Sequence, residues 1–384
     1  MRLKTRWFYI LVVLALSLVM TAGCGGKGSS NPGEKVIKIG FIGPLSGYVK
    51  NFGESNKNAF NLAIEQTGGK IGDYKIETVI MDDRNDPVEA LNAANKMINQ
   101  EQVKAIICSG THKTTVPVSQ VANDSKVVVI ASTATNPKIT VDNNMRKDYV
   151  FRACFIDPFQ GTVAAKFAVD TLKAKTAAVF YDKSSDYSTG LANYFKDNFT
   201  KAGGQVLSVM AYSQKDENFS DALNSIAKQN PDIIYLPDFY QKVTSIAKQA
   251  REKGIKAIFL GSNDWDYGDT GYEVLEGGYF TNHYSADDPR PEVKKWVEVY
   301  MGKFGTVPEA RATLCYDATS LLLNAIKTAN SDDPLKIKEA LQSTRNFPAV
   351  SGEITFDKDG NPIKPAAILQ IKGTKQVYVT TVTP

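Results

Sequence analysis

The chain has 384 residues, with 45 Lys and Arg against 41 Asp and Glu and a formal net charge of +4. Residues 1–23 hold Arg2, Lys4 and Arg6 and no acid, so without them 42 basic residues face 41 acidic ones, a balance that offers no electrostatic footprint for nucleic acid. Four cysteines without a CxxC spacing, and only two histidines (His112 and His283), argue against a zinc site.

In chain order, a basic start is followed by an almost unbroken apolar run over residues 7–20, then Thr21-Ala22-Gly23-Cys24 and a Gly/Ser/Pro-rich stretch over 25–33. Charge, apolar run and small residues in that order read as a secretory signal over residues 1–23. The apolar run of about 14 residues is shorter than the roughly 20 a spanning helix needs. A cysteine directly after the small residues resembles the lipobox of bacterial lipoproteins, with Thr21 where leucine is commoner. The resemblance implies cleavage before Cys24, acylation of Cys24, and a flexible linker over 24–35 that tethers an exported globule. No second run long and apolar enough to span a membrane follows Gly33.

Past the linker, short apolar runs alternate with helical stretches. Residues 36–42 read as a strand and 53–66 as a helix with an apolar face, stopped by Gly68-Gly69. Strand 75–81 precedes helix 87–99, with Asp86 as N-cap and Pro87 at its first position. Strands over 103–108 and 127–131 complete a βαβαβ pattern. The same grammar restarts: strand 176–181, helix 188–201, strand 205–210, helix 219–228, strand 232–236, helix 241–253 and strand 256–260. Helices then dominate, over 291–304, 310–328 and 334–341, and the tail reads as strands and a turn over 352–356 and 366–382. Cys108, Cys154 and Cys315 lie in apolar stretches and read as buried thiols; whether two of them pair stays open.

The fold class is therefore α/β, with two doubly wound parallel-sheet units near 36–156 and 157–280. Ligands of such sheets sit at the carboxyl ends of the strands. The loops there, 43–52, 109–115, 132–137, 182–187, 237–240 and 261–267, are rich in Ser, Thr, Asp, Asn, Tyr and Trp. Two lobes facing each other with such loops enclose a cleft, a favoured place for a small molecule. Catalytic signatures are missing. No GxSxG elbow, Walker loop or strand-borne GxGxxG occurs, His112 has no matched nucleophile, and Asp82, Asp83 and Asp86 read as a capping turn rather than a metal cluster. The expectation is a binding protein, not an enzyme, with no cofactor and no metal.

Several segments carry a likeness: VIKIGFIGPLSG at 36–47, DDRNDP at 82–87, STATNP at 132–137, FRACFIDPFQG at 151–161, LPDFY at 236–240, CYDAT at 315–319 and SGEITFDKDG at 351–360. In this order and spacing the set resembles the extracytoplasmic receptors for branched-chain amino acids, the Leu/Ile/Val-binding branch of the type I periplasmic binding proteins that serve ABC transporters. The resemblance spans essentially the whole chain after the linker. It implies two lobes joined by three crossovers near 156–157, 280–281 and 365–366. Lobe I would be 36–156 plus 281–365 and lobe II 157–280 plus 366–384, closing on a ligand as a hinged trap.

A zwitterionic amino acid needs N–H and O–H donors for its carboxylate and acceptors for its ammonium. By the resemblance, 110–115 is the carboxylate loop, with His112 where the family has a key serine and Lys113 beside it. Ser132, Thr133 and Thr135 belong to the segment that meets both head groups, and Tyr187 closes over the ligand from lobe II. Asn263 stands where the family often carries an acid for the ammonium, so Asp238 or Asp264 would take that role. Phe52 and Phe239 replace tyrosines that line the side-chain pocket, keeping an apolar wall without the hydroxyls. The implied function is a lipid-anchored, monomeric substrate-binding protein that hands an amino acid, branched-chain, other apolar or aromatic, to an ABC permease. The alternative is a sensor for a small amide or carboxylate on the same fold.

Overall fold

The computed structural model describes residues 35–47, 49–266 and 272–383. The predicted signal, Cys24 and nearly all of the linker lie outside them. Val36–Pro384 forms one compact unit.

Two sheets organise that unit, and each repeats one winding. In the first, strands β1 (Lys35–Gly43), β2 (Tyr74–Asp82), β3 (Ala105–Cys108), β4 (Val128–Ala131) and β5 (Val150–Arg152) are ordered β2-β1-β3-β4-β5, with Lys70–Ile71 added at the β2 edge. The β1–β3, β3–β4 and β4–β5 pairs are parallel. In the second, β6 (Thr176–Asp182), β7 (Gln205–Tyr212), β8 (Ile233–Leu236), β9 (Ile258–Gly261) and β10 (Tyr279–Asn282) are ordered β7-β6-β8-β9-β10 and are parallel throughout. A C-terminal antiparallel hairpin, β11 (Ala366–Lys372) and β12 (Lys375–Val382), extends that sheet beside β10.

Period-two alternation sends each strand's side chains to opposite faces. Ile37, Ile39 and Phe41 of β1 join the core under helices α1 (Lys50–Glu65), α8 (Pro291–Phe304), α9 (Ala310–Ala329) and α10 (Pro334–Gln342). Ile42 joins the opposite core, under α2 (Pro87–Asn99) and α3 (His112–Asp124). The second sheet is covered likewise, by α4 (Asp157–Asp170) and α5 (Asp186–Lys201) on one face and by α6 (Ser220–Gln229) and α7 (Tyr240–Glu252) on the other. Each lobe is thus doubly wound, and the chain passes between lobes three times: between β5 and α4, between β10 and α8, and before β11.

Asp86 does cap α2, accepting from the Val88 and Glu89 N–H groups at 2.8 and 3.1 Å. Asp82 and Asp83 accept from backbone N–H groups of the same turn. Among the described residues no group of three or more His, Cys, Asp or Glu could hold a metal, and no helix is long and apolar enough to cross a membrane. Cys108, Cys154 and Cys315 are buried and free, and burial raises their thiols to about 12, 11 and 12. Two helices depart from the sequence expectation. Helix α3, whose first turn falls in the loop expected over 109–115, and helix α4 have no counterpart among the expected elements. The β-branched run Thr114-Thr115-Val116 and Pro117 disguise α3. Helix α4 buries Gln160, Gly161, Val163, Ala164, Ala165, Phe167 and Ala168, too much of its circumference to leave an amphipathic stripe.

The three passages pack against one another. Phe155 of the first stacks on His283 of the second, with ring centroids 3.7 Å apart. Lys364 of the third donates from Nζ to the Ala153 carbonyl at 3.3 Å and to Ser351 Oγ. Gln160 donates to Thr281 Oγ1 at 2.8 Å.

Candidate functional site

In both sheets the winding reverses beside the first strand, between β1 and β3 and between β6 and β8. Loops at such a switch point splay apart and leave a crevice. Most of the residues singled out in the sequence stand on loops or helix starts after β1, β3, β4, β6, β8 and β9, and the two crevices face each other.

On lobe I, the loop after β4 is fixed from below. Arg152, on β5 and fully buried, donates from Nη1 to the Ala134 carbonyl at 3.1 Å and from Nη2 to the Asn136 carbonyl at 3.0 Å. Its guanidinium spreads several N–H donors in one plane, so one side chain can tie successive carbonyls. Ser132 Oγ lies 2.7 Å from Ser109 Oγ, and Thr133 Oγ1 donates to the Gly110 carbonyl at 3.2 Å, which joins this loop to the one after β3. Gly110 is required there, because a Cβ would stand 2.1 Å from Thr114 Oγ1 and 2.7 Å from Asp83 Oδ2.

His112 offers no positive charge to an anion. It is half-buried in the first turn of α3, and its Nε2 accepts from the Thr135 N–H at 3.2 Å and lies 3.0 Å from Thr135 Oγ1. Burial, with the charges of Arg152 and Arg311, depresses the imidazole to about 3, so it is neutral with its proton on Nδ1. Lys113 is exposed. What this segment offers an anion is the start of α3, a 13-residue helix whose N-cap Thr111 makes no side-chain capping bond.

On lobe II, Tyr187 is 5% exposed; its Oη donates to Asn263 Oδ1 at 2.8 Å. Its ring meets His112 of lobe I edge-on, with centroids 5.4 Å apart, and approaches Phe239 at 6.2 Å. The lobes therefore touch across the cleft at His112 and Tyr187. They touch again where Arg311 Nη2 donates to Asp264 Oδ1 at 2.6 Å, the guanidinium lying 4.7 Å above the Phe52 ring.

Asp238 is turned away from this assembly. It is fully buried, with Oδ2 accepting from Tyr212 Oη at 2.5 Å and Oδ1 from the Phe239 N–H at 2.7 Å. Tyr212 belongs to the lobe II core with Phe180 and Phe219, and burial lifts the Asp238 carboxyl to about 6. Both of its oxygens are thus engaged inside lobe II. Asp264 is committed to Arg311, so neither carboxylate marked for the ammonium stands unengaged.

A third acid keeps one oxygen unpaired, and sequence reasoning missed it. Asp157 opens α4 at the first crossover and is 2% exposed. Its N–H donates to the Thr135 carbonyl at 3.1 Å, and its Oδ1 has no partner among the described residues. Burial raises its carboxyl to about 7, against the pull of the Thr135 hydroxyl and the Arg152 charge. Its charge is felt by Tyr187 and Tyr235. Two further buried hydroxyls of lobe II, Ser262 Oγ and Tyr235 Oη, also have no hydrogen-bond partner among the described residues. A buried acceptor left unmade is costly; a cluster of them marks where a polar ligand group would complete the bonding. The signal in the sequence was the Asp157-Pro158 pair, readable only as a helix start.

The profile of the family described as periplasmic binding protein matches residues 36–376. The leucine-, isoleucine-, valine-, threonine- and alanine-binding protein of Pseudomonas aeruginosa is 28% identical over 342 residues, covering 88% of this chain and 90% of that one. Among solved structures, a leucine binding protein from Thermotoga maritima superposes with a TM-score of 0.82 at 36% identity, over 91% of this chain and 99% of that one. The branched-chain amino acid transporter substrate binding protein of Streptococcus pneumoniae, in complex with isoleucine, superposes with a TM-score of 0.81 at 27% identity, over 91% and 100% of the two chains.

Proposed function

The chain belongs to the periplasmic binding protein family, one of solute-binding proteins rather than enzymes, and from that premise we propose that it captures an α-amino acid between its lobes and delivers it to an ABC permease. The observation that carries the amino-acid reading is Asp157, a buried carboxylate with an unmade oxygen, set beside Thr135 at the crossover. A ligand ammonium would supply the partner that oxygen lacks, with Thr135 Oγ1 as a second acceptor. The ligand carboxylate would meet the uncapped start of α3 and the hydroxyls of Ser132 and Thr133, where helix-end N–H groups and hydroxyls favour an anion. Tyr187 and Asn263 would close over the head groups from lobe II.

Phe52, Phe239 and the Tyr187 ring supply an apolar wall for the side chain, which fits branched-chain and other apolar amino acids. The isoleucine of the Streptococcus complex, and all but threonine of the amino acids that name the Pseudomonas protein, belong to the same class. Tethering through an acylated Cys24 belongs to this proposal, since the globule would then stay beside the permease. Binding by closure follows from ligand contacts made by both lobes only when they are shut.

The test is a thermal-shift screen of the protein lacking its first 24 residues, after unfolding, removal of co-purified ligand and refolding. A ligand at a hundred times its dissociation constant adds about 2.7 kcal/mol of stability. A shift with branched-chain or other apolar amino acids, lost in Asp157→Asn, is the expected result. Shifts given only by carboxylates or amides without an ammonium would refute the amino-acid assignment.

A further inference from the structure

Helix α9 starts at the cleft, and its first turn is joined twice to the opposite lobe. The Ala310 N–H donates to Asp266 Oδ2 at 3.1 Å, and Arg311 Nη2 donates to Asp264 Oδ1 at 2.6 Å. Both acceptors lie on the short turn after β9, and both donors on the N-terminal turn of a 20-residue helix, whose positive dipole end faces the two carboxylates. The Phe52 ring, on the same lobe as Arg311, lies 4.7 Å below the guanidinium and braces it for the reach. The side chains of the pair are only 17% and 9% exposed, so salt screens them weakly.

The position of these bonds decides what they do. The Gln160–Thr281 and Asp157–Thr135 bonds lie at the crossovers, where a hinge rotation moves atoms least. Asp266 also hydrogen-bonds the Asn282 side chain at the end of β10, so the Ala310 bond sits beside the second crossover, whereas the Arg311–Asp264 pair joins a side chain of one lobe to a side chain of the other and breaks when the lobes part. Every atom in that pair belongs to the protein.

We infer that the Arg311–Asp264 pair is a clasp that favours lobe closure whatever ligand the cleft holds. Arg311 is then a positioning residue that sets how long a ligand stays rather than which ligand is chosen. The inference rests on the closure-binding reading above and extends it, and it removes Asp264 from direct service to the ligand.

The test measures association and release rates for isoleucine, leucine, valine and alanine in the wild type, Arg311→Gln, Asp264→Asn and the double variant. The distance between spin labels on the two lobes is followed without ligand. Close charge pairs across an interface couple strongly, so Arg311→Gln should speed release by at least about tenfold. Association should barely change, because such contacts act mainly on release. The factor should be the same for all four amino acids, the double variant should add little to either single one, and the ligand-free distances should lengthen. Arg311→Lys, which keeps the charge, should recover part of the residence time. A factor that varies with the ligand's side chain would make Arg311 a ligand contact and overturn the clasp, as would unchanged release and unchanged distances. If the wild type bound no amino acid, the functional reading would fail alone, because the ligand-free distances still report on the clasp.

Discussion

Binding of an amino acid to this protein should release a proton, and Asp157 is the group that gives it up. Without ligand its carboxyl is held at about 7 by burial, so near neutral pH it is about half protonated. An ammonium beside Oδ1 favours the ionised form and pulls the value down. The protonated acid cannot serve the ammonium, so affinity is full above pH 7 and falls as the pH drops, by about tenfold at pH 6 and about a hundredfold at pH 5. His112, held at about 3, does not titrate in this window. Glu309, the N-cap of α9, is also raised by burial to about 7 and bonded to Ser55, and Asp238 to about 6, so comparison with Asp157→Asn isolates the Asp157 contribution.

The assay is titration calorimetry at pH 7 in two buffers of very different ionisation enthalpy, followed by an affinity profile from pH 8 to 5. About half a proton per ligand should enter the buffer-dependent heat, and Asp157→Asn should bind weakly with no buffer dependence. The same raised value has an opposite effect on the ligand-free fold. Stability from a carboxyl raised on folding is full below its unfolded value of 3.8 and is lost as the pH rises through about 7. Asp157→Asn should therefore stabilise the ligand-free protein at pH 8, by roughly 4 kcal/mol at most. A buffer-independent binding heat with a flat affinity profile in the wild type would refute the reasoning.

Three other perturbations have definite outcomes. Tyr187→Phe removes the bond to Asn263 and keeps the ring against His112, so calorimetry should show affinity lower by about fivefold with little change in melting temperature. Gly110→Ala places a methyl group against Thr114 and Asp83, and chemical denaturation should show a loss of about 1–3 kcal/mol together with weaker binding; unchanged stability would mean that the loop yields at no cost. His283→Phe replaces a buried ring whose two nitrogens have no partner among the described residues with one that keeps the stack on Phe155, and should raise stability by about 1–2 kcal/mol. Burial and the Lys364 charge depress the His283 imidazole, so its share of stability is complete above its unfolded value of 6.5 and is lost as the pH falls; the variant's melting temperature should decline less between pH 6.5 and 4.5.

Short apolar runs and turn chemistry made most of the architecture legible. Runs such as Ile106-Ile107 and Val128-Val129-Ile130 announced the sheets, and Asp86-Pro87 announced a capped helix. Helix α3 was hidden because its β-branched residues and internal proline are poor helix formers, and packing under the first sheet overrides them. In the site, Thr135 on a lobe I loop and Tyr187 and Asn263 at a helix start and a short turn of lobe II stand at the cleft. Asp238 and Asp157 were misjudged for one reason: a sequence states that an acid follows a strand or starts a helix, but not which way its side chain turns. Asp238 turns into the lobe beneath it and meets Tyr212; Asp157 keeps one oxygen unmade. Arg311 carries no local signal at all, because its partners Asp264 and Phe52 come from distant parts of the chain.

Arg152 has a consequence for the order of events during capture. By holding the carbonyls of Ala134 and Asn136 from inside lobe I, it keeps the β4 loop in one conformation whether or not the lobes are shut. Half of the recognition surface is then rigid in the open protein, and little loop freedom remains to be lost at first contact. An incoming solute can dock head-first on lobe I in a diffusional encounter, before any hinge motion. On the proposed function, rotation of lobe II would follow as a commitment step, with no rearrangement of the β4 loop needed before it.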